Sequence, residues 1–295
     1  MSANDITLYK AYIDNLDAVY QDASVTAVLD GANELASMGQ NAGEMLIPKY
    51  DMDGLADYHR TDANGYAEGG VSLTFETKKC NYDRGRVFNI NDMDNVESNG
   101  IAFGKLSSEF IRTKVAPEID AVRLATYAGK AGGHAAAALA TGADWISALT
   151  AASLALDDEE VPTNDRVLFI QSSGLKAVNN MQTIDSKAIF GDFAAVVKAP
   201  KKRFYSAIDL QDGRTKTETV DETKGGFKPT TDAKSLNFLV VSRSAVIQYM
   251  KNVVNKVINP AENQDDDKWK FFYHPYGINE VYDNKVKGIY YHSVV

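Results

Sequence analysis

The sequence predicts a mixed α+β fold with one part that projects from its body. Three observations predict it. Residues Val71 to Thr77 alternate strictly between apolar and polar, the period of a strand with one covered face. Ile111, Val115, Ile119 and Val122 form an apolar stripe at helical spacing, with Pro117 inside it. Val167-Leu168-Phe169-Ile170 is a short unbroken apolar run, the mark of a strand buried on both faces.

At the start of the chain, residues 10–38 predict an amphipathic helix, carried by Leu16, Val19 and Tyr20 and continued in broken form by Val25, Val28, Leu29 and Leu35. It reads either as an ordinary N-terminal helix or as an arm that packs outside its own domain. Met45 to Pro48 predicts a short strand. The stretch from Tyr58 to Gly70 is polar and carries the turn dipeptides Asn64-Gly65 and Gly69-Gly70. Beyond it, Val71, Leu73 and Phe75 share one face, and Ser72, Thr74 and Glu76 the other. After an interruption at Asn81 to Gly85, Arg86 to Ile90 resumes as strand, with Phe88 and Ile90 on one side. Together, 45–90 reads as a long hairpin or ribbon with a mobile tip. A two-stranded ribbon is marginal in water, so this one must lie against its own domain or a neighbour.

Ser98 is placed to cap a helix running from Ile101 past Arg123, with Leu106 and Phe110 on its apolar side. Pro117 removes a donor and clashes with the preceding turn. Because the pattern resumes beyond it, the segment reads as one long, bent helix ended by Gly129, Gly132 and Gly133. From 143 to 243 helices and strands alternate. A helix with Ile146, Leu149, Ala152 and Leu156 on one side precedes the 167–170 strand. A second helix, capped by Ser172 or Ser173, runs to Met181. Strands follow at Phe193–Val197 and Phe204–Ile208, then an exposed loop or flexible hairpin at 211–235, then a strand at Leu236–Val241. Ser244 is expected to cap a further helix with Val246, Met250, Val253 and Val257 inside, closed by Pro260. Aromatic strands from Trp269 to Tyr282 and at Ile289-Tyr290-Tyr291 end the chain. There is no internal repeat and no low-complexity tract.

Composition narrows the function. The 295 residues suffice for one large or two ordinary domains, and 44% hydrophobic with 24% charged residues is ordinary globular usage. A disordered, collagen-like or disulfide-stapled chain is excluded. The net charge of −9 makes binding by phosphate neutralisation a poor expectation and favours repulsion of polyanions. The single cysteine, Cys80, excludes an intramolecular disulfide and an all-thiolate metal site; it reads as a small apolar side chain in a strand. The first residues carry Asp5 and Asp14 and no apolar run, unlike a secretory signal. No stretch approaches the ~20 apolar residues of a membrane span. A soluble chain made in a reducing cytosol is expected.

Catalytic signatures are missing. Gly104-Lys105 is followed by Leu and Gly129-Lys130 by Ala, where a Walker A loop needs a hydroxyl. Ser172-Ser173-Gly174 lacks the first glycine of a nucleophile elbow. His59, His134, His274 and His292 are widely separated. Asp51-Met52-Asp53-Gly54 and Asp265-Asp266-Asp267 lack the later ligands of a calcium loop. No catalytic, cofactor or metal residues are therefore assigned. The basic cluster of Lys198, Lys201, Lys202 and Arg203 reads as a solvated loop or, less favoured, as a contact with an acidic partner surface.

The order of segments resembles the major capsid protein of tailed bacteriophages, the Hong Kong 97 type fold. The telling residues are Tyr82-Asp83-Arg84-Gly85-Arg86-Val87-Phe88-Asn89-Ile90 with the acidic turn Asn91 to Asn95, and then Phe110 to Asp120 with its Pro117-Glu118-Ile119-Asp120. Asn259-Pro260 to Gln264 and Lys287-Gly288-Ile289-Tyr290 are similar to the family's C-terminal part. The resemblance covers nearly the whole chain. It implies an N-terminal arm at 1–44 and an extended β-ribbon loop at 45–90. A peripheral domain at 91–142 and 244–295 would carry a spine helix at 97–131, and an α/β axial domain would span 143–243. It also implies self-assembly into pentamers and hexamers of an icosahedral head enclosing double-stranded DNA, with the protein located in the virion after assembly in the host cytoplasm. The implied partners are other copies of the chain, a scaffolding protein, a portal protein and decoration or head-completion proteins. Packaged DNA would be met only by non-specific proximity, and no membrane is involved. The short arm implies a separate scaffolding protein or an arm already processed. Lys78 and Lys79 lie on the ribbon, but no cross-link is expected. The candidate subunit-interface residues are Tyr58, His59, Arg60, Tyr66, Val71, Leu73, Phe75, Lys78, Arg84, Arg86, Lys201, Lys202 and Arg203. The alternatives are an encapsulin-like compartment shell and an α/β enzyme with a site of dispersed carboxylates.

Overall fold

The computed structural model describes residues 24–30, 37–38, 44–60, 65–93 and 108–295. Its strands are β1 (Ser37–Met38), β2 (Glu44–Met52), β3 (Val71–Lys79), β4 (Tyr82–Asp83), β5 (Arg86–Asn91), β6 (Gly133–Ala136), β7 (Arg166–Gln171), β8 (Ala195–Ala199), β9 (Ile208–Gln211), β10 (Gly226–Pro229), β11 (Leu236–Ser242), β12 (Val246–Ile258), β13 (Lys268–Val281) and β14 (Ile289–Ser293). Its α-helices are α1 (Ala116–Gly129), α2 (Gly142–Asp158), α3 (Ser172–Met181) and α4 (Ile184–Ala188).

A mixed sheet in the order β6-β14-β11-β7-β8 forms one body. Its centre explains the unbroken apolar run. Leu168 and Ile170 of β7, with Phe238 and Val240 of β11, pack on Trp145, Leu149 and Leu156 of α2. The alternate residues Val167, Phe169, Leu239 and Val241 pack on Leu124, Tyr127 and Ala128 of α1 on the opposite face. A strand covered on both sides has no polar position to offer. Thr141 caps α2 reciprocally with Asp144, which fixes where that helix begins.

The second body is an antiparallel sheet in which β13 pairs with β12 on one side and with β4 and β5 on the other. Phe271 and Tyr273 of β13 pack with Val257, Tyr82, Ile111, Val115 and Ile119. One helix therefore serves two cores. Its first turns cover the β13 sheet, and its later turns cover the five-stranded sheet. Pro117 is accommodated by winding. Ile111–Val115 forms a π-helical turn directly before α1, and the proline follows it as the second residue of the α-helical part.

Several expectations are corrected. Residues 246–258 form a strand, not a helix. Val246, Ile247, Val253, Val254, Val257 and Ile258 are β-branched, and they pair with β13 through a bulge between Met250 and Asn252. Ser244 caps no helix; its backbone N–H donates to Asp165 Oδ2 at 3.0 Å. Arg86–Asn91 belongs to the β13 sheet and not to the ribbon. No side chain caps α3: Gln171 is its N-cap and Ser172 its first residue. The strand expected at 204–208 begins at Ile208; Phe204 is fully buried in the core instead. Of the expected N-terminal helix, Thr26–Leu29 is a 3-10 turn and Ser37–Met38 pairs with β2. Leu16, Val19, Tyr20 and Leu35 lie outside the described residues, as do Ser98 and Leu106.

Between the two cores lies a buried polar knot. The Asp120 carboxylate on α1 is fully buried. It accepts from Ser24 Oγ at 2.7 Å, Val25 N at 3.1 Å, Thr26 N at 3.2 Å, Thr26 Oγ1 at 2.7 Å and Arg203 Nη1 at 2.9 Å. Arg123, one turn on, donates to Asn279 Oδ1 at 3.0 Å and Thr26 Oγ1 at 2.9 Å. Gln248 accepts from Tyr127 and donates to the Thr26 carbonyl, both at 2.9 Å. A buried carboxylate is tolerated only when paired and hydrogen-bonded, and this one is saturated. Removing it takes an acceptor from Arg203 and from four donors of residues 24–26. Asp120→Ala is expected to lower the unfolding free energy by about 3–5 kcal/mol in urea titration. Arg112→Ala, which removes the exposed pair with Glu109 at 2.7 Å, is expected to change it by less than about 1 kcal/mol.

Candidate subunit interface

The hairpin of β2 and β3 is where the structure departs from ordinary burial. Its register sets Pro48 opposite Phe75, Tyr50 opposite Leu73 and Met52 opposite Val71. Successive side chains on a strand point to opposite faces, so these six apolar residues share one face. Lys49 opposite Thr74 and Asp51 opposite Ser72 occupy the other. Tyr50, Met52, Val71, Leu73 and Phe75 are 47% to 72% exposed. Leu55, Tyr58 and Tyr66 extend the exposed apolar surface towards the tip. A contiguous apolar surface of this kind marks a contact site.

The base of the hairpin is secured. Met45 and Ile47 are buried with Ile247, Ile278 and Tyr282, and Cys80 packs against them, consistent with a small apolar role although it lies just past the end of β3. Lys78 Nζ is 2.6 Å from Glu76 and 2.8 Å from Asp283, and Lys49 is 2.6 Å from Glu76. Burial opposes the charge on Lys78, but the hydrogen bonds to Asp283 and Glu76 outweigh it and raise its pKa. A hydrogen bond shared with Glu76 and the one from Lys78 hold the Asp283 carboxyl down to about 2.

The described part of the tip makes contacts within itself. Gly65 has φ 68°, and the Tyr58 ring lies over it, so close that a Cβ there would meet Tyr58 Cε2 at 2.5 Å. Only glycine fits that site. Tyr58 and Tyr66 meet edge-on at 4.8 Å. His59 N donates to the Gly65 carbonyl at 2.9 Å, and Gly70 N donates to Asp53 Oδ2 at 2.7 Å. His59 and Arg60 are exposed.

The other candidates lie elsewhere. Arg84 Nε donates to Glu118 at 2.8 Å, with Tyr82 donating to the same carboxylate at 3.2 Å. Burial pushes the Tyr82 phenol well above its ordinary range, and the neighbouring Glu118 adds to it. Arg86 donates to the Thr223 carbonyl at 3.0 Å. Lys201 and Lys202 are exposed on a 3-10 turn, whereas Arg203 reaches the buried Asp120. Arg84 and Arg203 thus serve contacts within the subunit. Sequence reasoning missed Pro48, Tyr50 and Met52. Their alternation with Lys49 and Asp51 was the available signal, and it was cut short by ending the strand at Pro48.

The architecture is of the Hong Kong 97 capsid type: a projecting hairpin, a long helix laid across an antiparallel sheet, and a separate mixed α/β sheet. Solved structures share it. The mature capsid of bacteriophage PhiM1 superposes with a TM-score of 0.56 at 10% identity, over 87% of this chain and 83% of that one. The capsid of cyanophage P-SCSP1u gives 0.52 at 13% identity, over 88% and 85%. A virus-like particle from Pyrococcus furiosus gives 0.54 at 10% identity, over 95% and 99%. No protein-family model and no curated protein matches the sequence. Among the described residues no helix is long and apolar enough to cross a membrane.

The depressed carboxyl at the hairpin base gives a pH signature. A carboxylate with a lowered pKa contributes stability above its ordinary value of 3.8, and that contribution is lost as the pH falls through about 2. Carboxyl NMR titration is expected to place the Asp283 midpoint near 2. In Lys78→Met the midpoint is expected to move up towards 3.8.

Proposed function

We propose that the chain is a structural shell subunit, the major capsid protein of a tailed phage. It self-assembles into pentamers and hexamers of an icosahedral head that encloses double-stranded DNA. The observation that carries this reading is the apolar face of the β2–β3 hairpin, which its own subunit leaves uncovered. The face lies across an adjacent copy. Standard contacts bury on the order of 1,600 Å² each, and a closed shell sums many of them. The role is structural rather than catalytic.

In this reading residues 1–44 are the arm, 45–90 the extended loop, 91–142 with 244–295 the peripheral domain, and 143–243 the axial domain. The buried knot at Asp120 ties residues 24–26 of the arm to the spine helix. A scaffolding protein, a portal and decoration or head-completion proteins are the further partners. Assembly takes place in the host cytoplasm, and the mature location is the virion. The excess of 40 acidic over 31 basic residues suits a wall that does not trap the packaged DNA. Lys201 and Lys202, exposed beside the arm's anchor, are proposed to face an acidic surface of a neighbour.

A second reading, a cellular compartment shell of encapsulin type, draws support from the likeness to the Pyrococcus furiosus virus-like particle over 95% of the chain. Co-purification with an enzyme cargo rather than with portal and scaffolding proteins would favour it. The shell reading itself is tested by deleting residues 58–70. The variant is expected to keep the parent's far-UV circular dichroism and to form no particles in negative-stain electron microscopy. Normal particles from the deletion variant would overturn it.

A further inference from the structure

The β9–β10 hairpin belongs to neither large sheet. A free two-stranded ribbon is marginal in water. None of residues 208–229 is buried, so no apolar core fixes this one. Its root is fastened to the five-stranded body. Tyr205 bridges to Ser235, Leu236 N donates to the Phe204 carbonyl at 3.0 Å, and Ser206 N donates to the Lys234 carbonyl at 2.9 Å. Phe204 itself lies in the core of that body. A cleft of about 1100 Å³ opens between the hairpin, the π-helical turn before α1, and strands β4 and β5.

The far end of the hairpin is held by the other body. Arg86 Nη2 donates to the Thr223 carbonyl at 3.0 Å, and Arg84 Nη2 to the Gly226 carbonyl at 3.4 Å. Both arginines stand at the β4–β5 corner, whose strands pair with β13. Arg84 is set in place by Glu118 of α1, which accepts from its Nε at 2.8 Å. The hairpin end is shaped for the second guanidinium. Arg86 Nη1 lies 2.9 Å from where a Cβ on Gly213 would stand and 3.4 Å from one on Gly225. Gly213 has φ +73°, so a side chain there would strain the backbone and displace the guanidinium. Asp212 accepts from Arg214 N and Thr215 N at 2.8 Å each, and Gly225 N donates to the Glu222 carbonyl at 2.8 Å. The loop thus keeps its own shape.

We infer that the β9–β10 hairpin is a strap across the two bodies, closed by Arg84 and Arg86, that holds them at one angle and so sets the curvature a subunit imposes on its neighbours. On the inside the bodies are joined by α1 and the Asp120 knot, whose buried partners cannot separate without a large cost. The clasp is different. Its bonds run from the exposed Arg86 and the half-buried Arg84 to main-chain carbonyls, and water replaces such a partner at little cost. It is therefore the joint that opens when the angle changes. A shell closes only when neighbouring copies meet at a defined angle. The effect on curvature rests on the shell reading; the clasp is a property of the single chain.

Hydrogen–deuterium exchange on full-length subunits reads the clasp, and electron microscopy of assembled particles reads the angle. Arg86→Gln is expected to speed exchange of the amides in 208–229 about three- to tenfold. The amides of β7 and β11 are expected to stay at parental rates, which checks the fold. The same variant is expected to broaden the distribution of particle diameters. Gly213→Ala is expected to do the same from the other side of the contact. The double variant is expected to exceed the larger single effect by less than roughly twofold, because both changes act through one contact. Arg214→Gln, an equal loss of charge on the same exposed loop, is expected to leave exchange and diameters at parental values. Parental exchange in both Arg86→Gln and Gly213→Ala, or an equal effect from Arg214→Gln, would overturn the strap. Faster exchange with parental diameters would overturn its control of curvature and leave the shell reading standing. Parent subunits that never assemble would overturn the shell reading and the curvature claim with it, while the exchange rates still decide the clasp.

Discussion

A two-stranded ribbon cannot cover two faces, and that constraint governs this molecule. The β2–β3 hairpin has a polar face that water satisfies and an apolar face that it does not. The subunit covers only the root of the opposite face, where Met45 and Ile47 enter a small core with Ile247 and Ile278. At Tyr50 and Met52, and at Val71, Leu73 and Phe75, the apolar side chains stand in solvent. Burying them is worth about 25 cal/mol for each Å² removed from water. The ion pair of Lys78 with Asp283 ties the root to the body, so the apolar face is presented from a fixed base.

The rest of the fold supplies that base. The π-helical turn and the start of α1 pack on one sheet and the later turns of α1 on another. Between them, Asp120 and Arg123 are buried with hydrogen-bonding partners from residues 24–30, 203 and 279. A carboxylate so placed is costly unless every partner arrives. The knot therefore makes residues 24–26, α1 and the 201–203 turn mutually dependent. The basic turn that reads in the sequence as a solvated loop owes one of its three side chains to this interior contact.

Much of this was legible in the residues. The alternation from Val71 to Thr77 identified β3 and the face that is left exposed. The run at Val167 to Ile170 identified a strand covered on both sides. The stripe through Ile111, Val115 and Ile119 identified the spine helix despite Pro117. What was not legible has physical causes. In residues 246–258 apolar side chains recur at both helical and strand spacings, and periodicity alone does not choose between them. Six β-branched residues and pairing with β13 decide for strand. Arg86–Ile90 was read as part of the ribbon, because a strand pattern does not say which sheet it joins. The partners of Asp120 gave no signal, since they lie 83 to 96 residues away. The cleft gave none either, because β5, the π-helical turn and the β9–β10 hairpin converge only in the fold.

The central claim is that the apolar face of the hairpin is buried on a sister subunit. An electron cryomicroscopy reconstruction of the assembled particle tests it most directly. The account requires Tyr50, Leu73 and Phe75 to be in van der Waals contact with a neighbouring copy. A reconstruction in which these side chains face solvent, or are covered by the hairpin's own subunit, would contradict it.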